Sequence, residues 1–195
     1  AEVKYLFSYG NSPKSGLAVR LFGAAFLQNN TLTDTNSPVL LPLTMRGGYD
    51  YAIDQVFIGR NEPEGFWTHQ VGTGAGGFKV PLSIGYTDKY LLAANLKASV
   101  PMLKKLPLKL YADIGIPYTD VADDGLWSGK VFFDGGIALT PVPDAIEVYW
   151  SLVSSNNIKE VYEANNLKWY ERITFLINFS ALNPIKAVRN FNFNL

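Results

Sequence analysis

The sequence predicts an all-β fold, an antiparallel transmembrane β-barrel of outer-membrane type. Three observations predict it: two segments that alternate almost without error, a low charge content, and connections that are long and short by turns. In residues 92–100, Leu92, Ala94, Leu96, Ala98 and Val100 share one face and Ala93, Asn95, Lys97 and Ser99 the other, because successive side chains of a strand face opposite sides. In residues 106–116, Leu106, Leu108, Leu110, Ala112, Ile114 and Ile116 oppose Lys109, Tyr111, Asp113 and Gly115. Neither apolar face carries a charge or an amide. Each run has the roughly 9–11 residues that a tilted strand needs to cross a hydrocarbon core.

Composition agrees. Of 195 residues, 48% are hydrophobic and 17% charged, whereas a typical soluble domain is about 25% charged. Seventeen basic residues balance seventeen acidic ones, so no net field favours nucleic acid, which is excluded as a partner. There is no cysteine, which removes thiolate metal sites and cysteine nucleophiles. One domain accounts for the length.

Period-2 patterning places further strands at 3–9, 17–28, 131–140, 145–153 and 170–179, beside those at 91–101 and 106–116. Helical periodicity is confined to 158–164 and 185–189. Connections 10–16, 103–105 and 141–144 are short, whereas 29–90, 117–130 and 154–169 are long. This is the arrangement of short periplasmic turns and long external loops. Val131, Phe133, Gly135, Ile137 and Leu139 oppose Asp134; Ile146, Val148, Trp150 and Leu152 oppose Glu147; Ile173, Phe175, Ile177 and Phe179 oppose Arg172. Each strand thus sends one or two charges to one side, and Arg20, Lys97, Lys109, Asp134, Glu147 and Arg172 are expected to face a lumen. There, Lys109 or Arg172 would pair with Asp134 and Glu147. Tyr90, Tyr118, Trp127, Trp169 and Tyr170 fall near strand ends, as an aromatic girdle would. The alternative is a soluble barrel with its apolar face inward.

Seven strands cannot close as a bacterial barrel with both termini periplasmic, since such barrels have even counts and an open edge in lipid is costly. Either strands lie unseen in 40–58 or 78–86, or the chain is the C-terminal portion of a larger barrel. The expected organisation is a barrel segment over residues 1–179, with the external loop 29–90, followed by a periplasmic tail over 180–195.

The run Asn95-Leu96-Lys97-Ala98-Ser99-Val100-Pro101, then Leu110-Tyr111-Ala112-Asp113-Ile114-Gly115, then Asp134-Gly135-Gly136-Ile137-Ala138-Leu139-Thr140-Pro141 resembles the C-terminal barrel of the Omp85 superfamily, also called bacterial surface antigen D15. It is most similar to the barrel appended to metallopeptidase-like outer-membrane proteins of the Bacteroidetes type. The resemblance implies an integral barrel in the outer membrane of a Gram-negative bacterium. Its role would be that of a membrane anchor or a component of a protein assembly or secretion complex, without an active site or cofactor of its own. Its partners would be lipid, and other outer-membrane or periplasmic proteins or an N-terminal peptidase-like region. It also implies that the long loop folds into the lumen and sets an arginine against a wall acid. Asp113 matches that acid, and Arg46 (before Gly47-Gly48-Tyr49) and Arg60 (before Gly65-Phe66) are the candidate arginines. A narrow pore or ligand-holding barrel is the alternative of another class, and would need a lumen free of 29–90.

Other chemistry is poorly represented. The lone His69 offers no pair for zinc and reads as a hydrogen-bonding loop residue. Gly72, Gly74 and Gly77 form a nominal G-x-G-x-x-G with no preceding strand, so a flexible loop is expected. Asp120, Asp123 and Asp124 lack EF-hand spacing and read as a solvated turn.

Overall fold

The computed structural model describes residues 1–9, 16–27, 40–46, 57–59, 62, 64–100, 107–119, 128–142 and 145–179. Its strands are β1 (Glu2–Ser8), β2 (Gly16–Ala25), β3 (Tyr90–Ser99), β4 (Leu108–Tyr118), β5 (Phe132–Val142), β6 (Ile146–Ser154) and β7 (Ile173–Ile177), with one helix, α1 (Asn156–Ala164), between β6 and β7. They form a single antiparallel meander in chain order. Among the described residues β1 and β7 are not paired with each other, so the sheet is open. The stretches expected to hide strands, 40–58 and 78–86, contribute none to this sheet where they are described.

Register carries the alternation across the sheet intact. Leu92 stands opposite Ile116, Ala94 opposite Ile114 and Leu96 opposite Ala112; Ile114 then faces Phe133 and Leu110 faces Ile137. The apolar residues therefore form one continuous face. A bulge at Gly135/Gly136 shifts β5 against β6 without breaking the ladder. Glycine there is required because a Cβ at Gly136 would run into the Trp150 carbonyl.

The sheet is curled around segment 70–80. Four residues of that segment touch five strands: Val71 meets Phe175 on β7, Ala75 meets Arg20 on β2, Gly76 meets Asn95 on β3, and Lys79 meets Asp113 on β4 and the ring of Tyr149 on β6. Lys97 of β3 also reaches Glu147 of β6, over two intervening strands, at 2.6 Å. Side chains stand roughly perpendicular to a sheet, so this chord closes only if the sheet bends toward its charged side.

Above the charged zone lies an apolar core. Leu43, Phe78, Val80 and Ile84 of the long connection pack with Leu91 of β3, Phe132 of β5, and Ile158 and Tyr162 of α1. Loop, sheet and helix thus share one interior. Gly115 of β4 lies under it, where a Cβ would collide with Leu43 and Phe78.

Several boundaries differ from expectation. The last strand begins at Ile173 rather than at 170, because Trp169–Arg172 form a 3-10 turn in which the Glu171 carboxylate accepts from the Lys168 amide. The helix starts at Asn156, two residues early, with Ser155 extended before it. The Gly72–Gly77 stretch, expected as a flexible loop, is packed: Gly76 and Gly77 are buried against the wall. The tail 180–195 lies outside the described residues.

Candidate functional site: the junction of the long segment and the sheet wall

The distribution of exposure is inverted relative to a water-soluble sheet. On the convex face Leu21, Leu92, Leu110, Ile114, Leu139 and Leu152 are 51, 52, 52, 40, 41 and 48% exposed, whereas on the concave face Asp113, Asp134 and Glu147 are 1, 0 and 2% exposed. The strands present leucine and isoleucine to the surroundings and hold their carboxylates inside.

Each buried acid has partners. Asp113, at the middle of β4, lies in register beside Asp134, near the start of β5. The Asp113 Oδ1 accepts from Asn95 Nδ2 at 2.8 Å, while Lys79 Nζ stands 3.8 Å from Oδ2. Asn95 in turn donates to the Gly76 carbonyl at 3.0 Å and accepts from Arg20 at 2.6 Å, and Arg20 donates to the Ala75 carbonyl at 2.8 Å. Asp134 accepts from the hydroxyls of Tyr111, Ser151 and Ser154. Glu147 accepts from Lys97 and from the Tyr149 hydroxyl. Buried charges persist only when so satisfied.

Lys79 is the hub of the junction. Its ammonium donates to the Gly77 carbonyl and lies 5.2 Å from the centroid of Tyr149, and its own carbonyl accepts from Thr174 Oγ1 at 2.8 Å. Burial pushes the Lys79 ammonium below its ordinary pKa, and the Asp113 carboxylate opposes that shift. Gly77 makes the turn that brings Lys79 inward, with φ at 66° and no room for a Cβ between Arg20 and Asn95.

The expected arginine pairing is therefore corrected at one position. Arg46 donates through Nε, at 3.1 Å, and through a terminal nitrogen to the Thr68 carbonyl, within the long segment itself. The cation set against Asp113 is Lys79. Arg60 lies outside the described residues, as do Asp120, Asp123, Asp124 and Trp127.

Of the residues expected to face inward, Arg20, Lys97, Asp134 and Glu147 do so, and Lys109 shares their side of β4 through its register with Ala138. Arg172 does not sit on a wall strand. It precedes β7, with its guanidinium 4.6 Å from the centroid of Tyr162. Glu147 pairs with Lys97 rather than with Lys109 or Arg172, because the curl brings β3 nearer than sequence order suggests. His69 Nδ1 stands 2.9 Å from the Ile173 carbonyl, and its ring lies 6.5 Å from that of Phe66.

Aromatic rings gather at the strand ends on the long-loop side. Tyr90 and Tyr118, partners in register, stack at 4.8 Å with their planes 3° apart. Trp169 leans on Trp150 at 5.2 Å and on Tyr170 at 5.8 Å, and the Trp150 indole donates to the Trp169 carbonyl at 3.1 Å.

Sequence reasoning missed Lys79. The only signal available was its position after Gly76-Gly77-Phe78, where glycines allow a backbone to approach a wall closely. Among the described residues no group of His, Asp and Glu is placed to hold a metal ion. No protein-family model, curated protein or solved structure matches this chain.

Proposed function

We propose that this chain is part of an integral outer-membrane β-barrel of Omp85-like type, a C-terminal portion of a larger barrel that serves as a membrane anchor or as a component of a protein assembly or secretion complex. One observation carries the reading: the apolar face is the exposed face, and the carboxylates are buried. In water, each large apolar side chain left outside forfeits about 1.5–3 kcal/mol relative to burial, and the convex face repeats that loss along β1 to β6. In lipid the same face is satisfied, and charges belong where they stand here, inside.

The aromatic clusters at the strand ends suit the boundary between hydrocarbon and headgroups, where Trp and Tyr favour an apolar body and a wet tip. The filled concave side supports an anchoring or assembly role over a pore, since residues 70–80 occupy the space that a solute would cross. Partners are lipid and a larger protein assembly.

Expression behind a signal peptide in a diderm host, followed by outer-membrane fractionation and carbonate extraction, tests the reading. Retention in the carbonate-resistant outer-membrane fraction is the expected result. Recovery of folded chain in the soluble fraction would overturn it and assign the convex face to a protein partner.

A further inference from the structure

The 3-10 turn Phe66–His69 lies across the sheet from the segment it introduces. On β7, Thr174 donates to the Lys79 carbonyl and Leu176 packs with Tyr111, Ala138 and Tyr149, so both face the concave side. Phe175 stands between them and points to the convex side. Unlike the leucines of that face it is only 4% exposed, because Phe66 stacks on its ring at 4.9 Å and Trp67 meets it edge-on at 5.8 Å. Lys79, farther along the same segment, is inside against Asp113. The chain thus passes around β7 from the convex to the concave face, and it does so at the strand's edge. There the Val71 amide donates to the Phe175 carbonyl at 2.8 Å, and His69 Nδ1 stands 2.9 Å from the Ile173 carbonyl. Both carbonyls lie on the same edge, where lipid would leave them unpaired at several kcal/mol each.

We propose that this turn is a lipid-contacting clip, with Phe66 and Trp67 meeting the acyl chains just below the headgroups on the long-loop side of the membrane. Exposure supports this occupant: Phe66 and Trp67 are 53 and 46% exposed while leaning on a convex-face ring. Continuity supports it as well. Ile173, on the same face as Phe175, stands in register with Trp150, which leans on Trp169, so Phe66 and Trp67 carry the aromatic group of the strand ends onto the edge of β7. Charge sets the depth. Glu62 and Glu64, just before the turn, are exposed and belong in water, which places the two rings at the boundary that Trp favours rather than at mid-membrane. The turn is held in shape: Gly65 has φ at 108°, its carbonyl accepts from Thr68 Oγ1 at 2.7 Å, and Arg46 donates to the Thr68 carbonyl. These contacts occupy β7 at Ile173 and Phe175, so a joint between this strand and the rest of the larger barrel belongs past Phe175, toward Ile177.

The proposal rests on the membrane reading, and its test separates the two. The full chain is reconstituted in phosphatidylcholine vesicles whose acyl chains carry bromine, a contact quencher of indole emission, either near the headgroup or near the chain end. The chain has four tryptophans, so the emission of Trp67 is read as the difference between the parent and Trp67→Phe, a change that keeps a ring against Phe175. Trp150→Phe gives the same difference for a convex-face ring on β6. The expected result is loss of most Trp67 emission in vesicles brominated near the headgroup, and a smaller loss in those brominated near the chain end. If brominated lipid quenches Trp150 and leaves Trp67 unchanged, the clip faces water or a protein, and the proposal is overturned while the membrane reading stands. If neither is quenched, the convex face does not meet lipid, and the membrane reading falls together with the proposal.

Discussion

At the residue scale the argument turns on Lys79 and Asp113. Removing one partner of a buried pair leaves an uncompensated charge and costs about 3–5 kcal/mol, whereas replacing both with neutral groups is far milder. Lys79→Ala is therefore expected to lower the unfolding free energy, read by urea titration of the folded, heat-modifiable band, by that order. Lys79→Met combined with Asp113→Asn should recover most of the loss, a coupling that single substitutions cannot show. Equal, additive losses would mean that the two groups act separately. Arg46→Ala removes the bonds to the Thr68 carbonyl, and the same assay should read about 1.5–3 kcal/mol. Asp113 was legible in the sequence because it stands on a strand whose parity is fixed by six apolar neighbours. Lys79 was not, because its partner is 34 positions away, Lys79 to Asp113, and its own segment has no period that would reveal which way it points.

At the scale of an element, β4 shows what alternation can and cannot tell. Its period of 2 is geometric, so the sorting of Leu110, Ala112 and Ile114 from Tyr111, Asp113 and Gly115 survives intact in the structure. What the period leaves open is which side turns inward, and burial answers that by placing the carboxylates inside. Leu110→Lys should then cost about 2–4 kcal/mol if the convex face meets hydrocarbon near its midplane, measured as a fall in folded fraction during titration in liposomes. A change within about 0.5 kcal/mol, the usual range for a water-facing position, would count against lipid on that face. Gly115→Val tests the other side of the same strand. Its methyls would push into Leu43 and Phe78, and overpacking of this kind costs about 1–3 kcal/mol. Element ends were less legible than element interiors, since Trp169–Arg172 continue the apolar-aromatic pattern of β7 yet are turned by a local cap.

For the whole molecule, the relation between the long connection and the sheet decides how the chain folds. Residues 29–90 read as an external loop, and an insert of that length could fold or melt independently of the strands. The described part does not allow this, because Leu43, Phe78, Val80 and Ile84 share one core with Leu91, Phe132, Ile158 and Tyr162. The connection, two strands and α1 bury the same surface, so none keeps its core when another leaves. Sheet and segment are expected to unfold in one transition, with tryptophan emission and heat-modified mobility giving coincident midpoints. Ile158→Ala supplies the sharper form of the prediction. Ile158 lies on α1, outside the sheet, yet truncating it should cost about 2–5 kcal/mol and shift both probes together. An early loss of Trp67 emission, ahead of the mobility change and unaffected by Ile158→Ala, would show instead that the segment is a separable insert held only by its polar contacts. Coincidence would mean that the curl of the sheet and the filling of its concave side form together, the fold being specified as much by the aperiodic connection as by the alternating strands.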